Sequence, residues 1–576
     1  MTSVPVRRVQ FTRRRLAPSA KTWPRWLRES KLGWEAIIIY TALAVLFGRH
    51  TVAHLGSVCS CGEIPDSWEI AWPFSWFPYA LTHGLNPWYT HSQWAPFGFN
   101  VAGVTSFPLP AMVLAPVTWL WGAIVSANVA NLGATVITGW ATYQLCRYVS
   151  KDRLAALVAG ATVGFGAYVL MQMWAGHIVM TLFFVPQFVG LVVLRYLDGA
   201  ISRTRVAVEL TLCLIVQLFT SAEIFVTMSL WGGVLLLLGY GLGTREIRAG
   251  IRNLILPLAI AYGVTLVLSG DYLYWALKAP KYAIGIGSIW PTDLLSYVTP
   301  TTTTWIGGSA FASVYALFNL GAETDAYLGV PLILIAVRWL STHWRLRTSK
   351  FLTAASVISI LWTLGPALHI AGKSTIWLPY RIVAGLPVMN MILEARTAVY
   401  TELLAAVILS LWLADRRRRP FAKWVAALVA ALFVFPNLAD VSPAYVTERP
   451  VPRFFATNIY RSYIKRGATI MTIDWSESSP ALMWQAADGM YYRLAGGYFT
   501  TTRPPGWTGN PTIIDLWYNT PQSGDGPELR RLLIQRHVED LVVTPPGMAV
   551  WRNTLLIAGL RRPIRVGGIY LYRRSW

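Results

Sequence analysis

The sequence predicts a polytopic α-helical membrane protein of about eleven transmembrane helices, with a C-terminal extracytoplasmic α/β domain. Three observations predict it. The 576 residues are 55% hydrophobic and 13% charged, with a mean hydropathy of +0.45, whereas soluble domains are about 25% charged. Basic residues fall in short clusters between apolar segments, on alternate connections. Near Ala439 the composition changes, and charged residues then run through to Trp576.

The elements follow in order. Residues 1–31 form a basic segment; the first 30 carry seven Arg and one Lys without the apolar core of a signal peptide, so they are expected inside. The first span runs from about Trp34 to Ala53. A large outer loop, 54–123, follows, and within it Phe107 to Trp121 reads as a half-inserted helix because Pro108, Pro110 and Pro116 interrupt it. Further spans are read at about Ile124–Tyr148, Leu154–Trp174, Ile178–Tyr196, Val206–Ala222, Ile224–Tyr240, Leu254–Leu268, Ala326–Trp339, Phe351–Ile370, Ala398–Leu413 and Phe421–Phe435. Alternation from an internal start puts Arg147/Lys151/Arg153, Arg195/Arg203/Arg205, Arg245/Arg248/Arg252, Arg338 to Lys350 and Arg416 to Arg419 inside, as the positive-inside rule requires. The transmembrane domain is therefore read as 32–438, and 439–576 as an external α/β domain. Its short β-like runs are Ala468–Ile473, Asp540–Val543 and Gly567–Tyr572, with a helix near Pro527–Val538.

The outer loop carries Glu63, Asp66, Glu69, His83 and His91 among many aromatic residues. Trp68, Trp72, Trp76 and Tyr79 recur at helical spacing. Such a stripe is expected to lie in the membrane interface and to hold Asp66 at the mouth of a membrane cavity. Asp66 follows Pro65 at a helix start, so it also reads as an N-cap.

On the same outer face the topology places His177, Glu223, Asp271, Asp293, Glu323, Asp325, His369, Lys373, Arg381, Glu394 and Arg396. A channel or pump would more readily place acids in mid-span. Clustering at one face suits an enzyme that meets a lipid-borne substrate there. Each residue also has a structural reading: a helix-end hydrogen bond for His177, a buried ion pair for Glu223, rim charges for Arg381 and Arg396. Outward cations nevertheless suit a phosphate. Glu69, His83, His177, Glu223, Glu323 and His369 are candidates to contact substrate.

Several classes are excluded. A net charge of +22 suggests nucleic acid in a soluble protein, but here topology accounts for it. The chain has no GxxxxGK[ST], no GxGxxG after a strand and no HExxH. Four cysteines are too few for a disulfide scaffold. Cys146 and Cys213 read as small buried hydrophobes; Cys59 and Cys61 could form a disulfide or a metal half-site.

The phrases DSWEIAWPFSWFPYALTHGLNPWYT, PFGFNVAGVTSFPLPAMVLAPVTWLWG, WAGHIVMT, AYLGVPLI, LGPALHIAGKSTIWLPY and MWQAADGMYYRLAGGY, with one span before a large acidic outer loop, resemble the GT-C superfamily of integral membrane glycosyltransferases, in a bacterial, chiefly actinobacterial, branch. The resemblance implies transfer of a sugar from a polyprenyl-phosphate donor to a cell-envelope glycan or glycolipid acceptor at the outer face of the cytoplasmic membrane. It puts the general base on Asp66, with Glu63 in reserve. Arg381, Arg396 and Lys373 are then the cations for the donor phosphate. No cofactor is required, although the loop acids could bind Ca²⁺ or Mg²⁺ through oxygen. The alternatives are a transporter or flippase of lipid-linked sugars, and a non-catalytic cell-envelope assembly protein.

Overall fold

The computed structural model describes residues 33–60, 70–104, 106–279, 291–301, 304–318, 326–386, 389, 392–415, 420–436, 451–473, 479–497, 503 and 505–576. The basic N-terminal segment, Glu63, Asp66, Glu69, Glu323, Asp325, the Arg416–Arg419 cluster and the 438/439 boundary lie outside the described residues.

Long apolar helices dominate the first part. Among the described residues, six are long and apolar enough to cross a membrane: Ala123–Ser150, Arg153–Met173, Ile178–Leu197, Ala222–Leu242, Arg245–Leu268 and Glu394–Ala414. The remaining expected crossings fall on shorter or more polar helices, namely Trp34–Phe47, Arg203–Thr220, Val330–Thr342, Arg347–Thr363 and Phe421–Val434. The Ala123–Ser150 helix is central, packing against Trp34–Phe47, Arg153–Gly164, Val185–Leu197 and Ala398–Ala414. Small residues allow this. Ala127, Ala134, Ala155, Ala156 and Ala159 are almost fully buried, so backbones approach closely.

Two local expectations change. The span expected over Phe351–Ile370 ends at Thr363. Ala367–Ile370 is instead a strand paired antiparallel with Lys373–Trp377. Pro366 cannot donate the backbone hydrogen bond that a continuing helix needs. Ala371 and Gly372, at φ 51° and 76°, make the two-residue left-handed turn that closes a hairpin. The half-inserted helix over Phe107–Trp121 is two helices, Pro108–Val113 and Ala115–Trp121, meeting at Leu114.

Among the described residues, the C-terminal part builds a five-stranded mixed sheet. In spatial order its strands are Arg493–Leu494, Thr469–Ile473, Asp540–Val543, Ile569–Arg573 and Ile564–Val566. The first three are mutually parallel, and Ile569–Arg573 runs antiparallel to both of its neighbours. Thr469–Ile473 and Asp540–Val543 are buried along their whole length, as strands covered on both faces must be. Helices Asp525–Gln535 and Pro545–Ile557 pack together beside the sheet and contribute Leu529, Leu533, Trp551 and Leu555 to its core.

Candidate functional site

The outer loop enters the structure through two asparagines. Asn128 and Asn131 lie on one face of the Ala123–Ser150 helix, and both are fully buried. Asn128 Oδ1 accepts from Ser60 N at 2.8 Å and from Ser60 Oγ at 3.1 Å. Its Nδ2 donates to Leu55 O at 2.8 Å and Val58 O at 2.6 Å. Asn131 Nδ2 donates to Ser60 O at 2.8 Å. An amide has one acceptor and two donors, and Asn128 uses all of them on the backbone and side chain of residues 55–60. The residue at the threshold of the acidic stretch 61–69 is thereby fixed to a membrane helix.

The far side of that stretch is also anchored. The helix Ala71–Thr82 is apolar on every turn, and Trp72 and Trp76 are 0% and 1% exposed. The interfacial placement expected for this aromatic stripe is therefore corrected for these two rings. They stack on each other, with centroids 5.4 Å apart, beneath the C-terminal helix Ala481–Ala487. Burying each indole contributes on the order of 4 kcal/mol. Trp72 Nε1 donates to Gln485 Oε1 at 2.8 Å, and Ser75 Oγ donates to Ala486 O at 2.6 Å.

The chain after this helix joins the C-terminal sheet. Leu494 N donates to Ser92 O at 2.9 Å, Ala95 N to Leu494 O at 2.9 Å and Trp94 N to Gly496 O at 3.3 Å. Residues 92–95 thus pair with the edge of the sheet, whose exposed backbone groups would otherwise lack partners. Gln485 Nε2 donates to Ser92 O and to Tyr492 O, and Trp94 Nε1 donates to Gly497 O. Gly497 has φ 139°, and a Cβ there would collide with Gln93.

A second cluster lies at the ends of three helices. Arg396, in the turn Glu394–Thr397, donates from Nη1 to Glu223 Oε2 at 2.6 Å. Their side chains are 18% and 25% exposed. One helical turn further along both partners, Thr227 Oγ1 and Tyr400 OH lie 2.9 Å apart. Trp231, one more turn on, packs against Tyr400 and Trp362. Positions 223, 227 and 231 share one helix face and 396 and 400 another, so the two helices meet through two polar rungs capped by Trp231. Thr363–Thr397 and Ser359–Thr401 contacts at 3.0 and 2.7 Å attach the Arg347–Thr363 helix to the same wall. Glu394 is 5% exposed and lies against Gly365.

The other expected residues make contacts of their own. Lys373 and Arg381 stand on the exposed hairpin region, where the Arg381 guanidinium sits 3.4 Å over the Trp377 ring. His83 is exposed, stacks on Tyr79 and contacts Tyr79 O through Nδ1. His177, 9% exposed, contacts Gln172 Oε1 through Nδ1 at 2.8 Å. His369 contacts Ala367 O and forms a β-bridge with Asp293, whose Oδ2 accepts from Gly372 N. Asp271 accepts from Trp88 Nε1 at 2.7 Å and so ties the outer loop to the helix Gly270–Lys278. No group of three or more His, Cys, Asp or Glu able to hold a metal occurs among the described residues.

Two features escape the sequence reading. Asn128 and Asn131 belong to a polar row, with Thr135, Thr138 and Thr142, at spacings of three and four in an otherwise apolar helix. That periodicity is visible in the sequence. Glu402 is 5% exposed inside the Glu394–Ala414 helix and packs against Gly166 so closely that a Cβ there would collide with its carboxylate. A lone acid in an apolar run is the signal for it.

No protein-family model matches the chain, and no curated protein sequence matches it. Solved structures do. The Archaeoglobus fulgidus oligosaccharyltransferase aligns at TM-score 0.51 and 12% identity, over 88% of this chain and 68% of that one. The mycobacterial arabinofuranosyltransferase AftD aligns at TM-score 0.53 and 14% identity, over 94% of this chain; this chain spans 42% of AftD. Both are GT-C glycosyltransferases. The chain has the fold of the GT-C integral membrane glycosyltransferases.

Proposed function

We propose that the protein is an inverting glycosyltransferase at the outer face of the cytoplasmic membrane. It moves a hexosyl or pentosyl group from a polyprenyl-phosphate donor to a cell-envelope glycan or glycolipid. The N-terminus is inside, about eleven helices cross the bilayer, and the C-terminal sheet is outside. The disulfide at Cys59 suits an oxidising outer compartment.

The observation that supports this reading most is the pair of anchors around the acidic stretch, in a chain with the GT-C fold. Ser60 is fixed to Asn128 and Asn131 on one side, and the Ala71–Thr82 helix is fixed under Ala481–Ala487 on the other. A catalytic acid needs a defined position, because a misplacement of about 1 Å can cost a hundredfold in rate.

In the proposed reaction the Asp66 carboxylate takes the proton of the acceptor hydroxyl. The hydroxyl oxygen attacks the anomeric carbon, the bond from that carbon to the phosphate oxygen breaks, and the polyprenyl phosphate leaves. A single displacement inverts the centre. Arg396, whose direction the Glu223 ion pair fixes, is the cation proposed to meet the charge growing on the phosphate. Lys373 and Arg381, expected with Arg396 as donor-phosphate cations, stand on the exposed hairpin region.

Lipid-linked sugar analysis in cells lacking the protein tests the proposal. Accumulation of one polyprenyl-phosphate sugar, with a matching deficit in an envelope glycan, is expected. Unchanged lipid-linked sugars and glycans contradict it.

A further inference from the structure

The region from the hairpin to Leu386 carries apolar side chains that are exposed among the described residues. Ile376, Trp377, Ile382 and Leu386 are 61%, 67%, 85% and 52% exposed. Ile376 and Trp377, consecutive on the strand, project from the two faces of the hairpin, and Ile382 and Leu386 follow four residues apart. The Arg381 guanidinium lies 3.4 Å over the Trp377 ring, joining the second strand to the turn of helix Arg381–Ala384, and Ile382 N donates to Pro379 O. The turn is held from behind, where Asp293 accepts from Gly372 N and the Gly372 Cα faces Leu317 O. The fold therefore presents the patch on a supported element.

We propose that this hairpin and the Arg381–Ala384 turn dock into the headgroup layer of an anionic bilayer leaflet, with Ile376, Trp377, Ile382 and Leu386 inserted and Lys373 and Arg381 on lipid phosphates. The inference rests on the transmembrane reading of the flanking helices and not on the transferase chemistry. The first strand begins four residues after the apolar helix Arg347–Thr363, and the Glu394–Ala414 helix follows the patch. Both ends of the segment are thus rooted beside the bilayer. Exposed aliphatic side chains next to an indole and two cations match a leaflet boundary, with its apolar interior and anionic rim. The indole suits that depth, and a stacked guanidinium retains its in-plane donors for phosphate. A water-facing loop would leave this apolar surface at a free-energy cost.

The test places a nitroxide on Ile382→Cys in a background carrying Cys146→Ala and Cys213→Ala, in nanodiscs without any sugar donor. Collision with oxygen and with a water-soluble nickel chelate is measured in phosphatidylglycerol and in phosphatidylcholine. A label on Ile557→Cys, an exposed position of the C-terminal sheet unit, gives the aqueous reference. The expected result is a label at 382 several-fold more protected from nickel than the one at 557, more so in phosphatidylglycerol. Lys373→Gln with Arg381→Gln removes the lipid difference. Nickel access at 382 equal to that at 557 overturns insertion. Equal protection in both lipids overturns the phosphate contacts. A donor-phosphate site would show protection only on adding polyprenyl phosphate, which also overturns the proposal.

Discussion

Asn128→Ala is the substitution whose effect the structure specifies most closely. It removes an acceptor from Ser60 N and Oγ and donors from Leu55 O and Val58 O. Val58 and Ser60 are 6% and 2% exposed, so water does not replace the amide without local opening. A buried backbone group left without its partner costs about 1–3 kcal/mol. Three such groups would sum to about 3–9 kcal/mol if nothing moved. Local opening of residues 54–60 is expected instead, and it caps the loss at the stability of that local unit. Hydrogen exchange by mass spectrometry on a peptide covering residues 54–60 reads this directly. An opening made easier by about 2 kcal/mol raises exchange about thirtyfold. The Ala481–Ala487 helix should be unaffected. Asn128→Asp keeps the acceptor and loses both donors, so it should fall between. Wild-type protection in Asn128→Ala would refute the clasp and, with it, the argument that the acidic stretch is anchored at its start.

Three other outcomes are expected. Breaking the Glu223–Arg396 pair by either Glu223→Gln or Arg396→Gln should lower stability in detergent by about 1–3 kcal/mol, with the double variant less destabilised than the sum; additive losses would dissolve the coupling. Asp488, at the end of the Ala481–Ala487 helix, has its carboxyl pushed up to about 8 by burial, against smaller opposing effects of Tyr492 and Arg461. Because its folded value lies above the unfolded one, the folded unit holds the extra proton: that stability is complete below about pH 4 and is lost as pH rises through about 8. Asp488→Asn should flatten this part of the profile in a thermal melt series, and an unchanged profile would contradict it. Reporter fusions truncated after Asp415 and placed after Trp576 should report opposite sides of the membrane; the same side for both would break the eleven-span topology.

The helices were legible because composition and charge act over long windows. The basic clusters at Arg147–Arg153 and Arg245–Arg252 fix connections without any knowledge of packing. Pairing across the chain was not legible. The spacing of Trp72 and Trp76 shows a helix with an aromatic stripe, but the surface that covers it is the Ala481–Ala487 helix some four hundred residues away. An aromatic stripe reads the same against lipid and against protein. The strand Ala367–Ile370 was merged with the preceding helix because apolar residues continue across Thr363, and only Pro366 and the Ala371-Gly372 turn separate them. Glu223 and Arg396 were each visible as outward charges, yet nothing local says that they meet across 173 residues. Asn128 was visible as a polar group in a span, and its partner Ser60 was not.

The central claim is that Asp66 is the base of a glycosyl transfer. Its most direct measurement is complementation of cells lacking the protein with Asp66→Asn, at matched membrane abundance, followed by lipid-linked sugar analysis. Asn keeps the size and hydrogen-bonding capacity of Asp but cannot take the proton, and loss of general-base assistance costs about a hundredfold to ten-thousandfold in rate. The account predicts that Asp66→Asn cells accumulate the same polyprenyl-phosphate sugar as cells with no protein, while Glu69→Gln cells clear it. Clearance by Asp66→Asn at the wild-type rate would contradict the account, and accumulation by Glu63→Gln alone would move the base to Glu63.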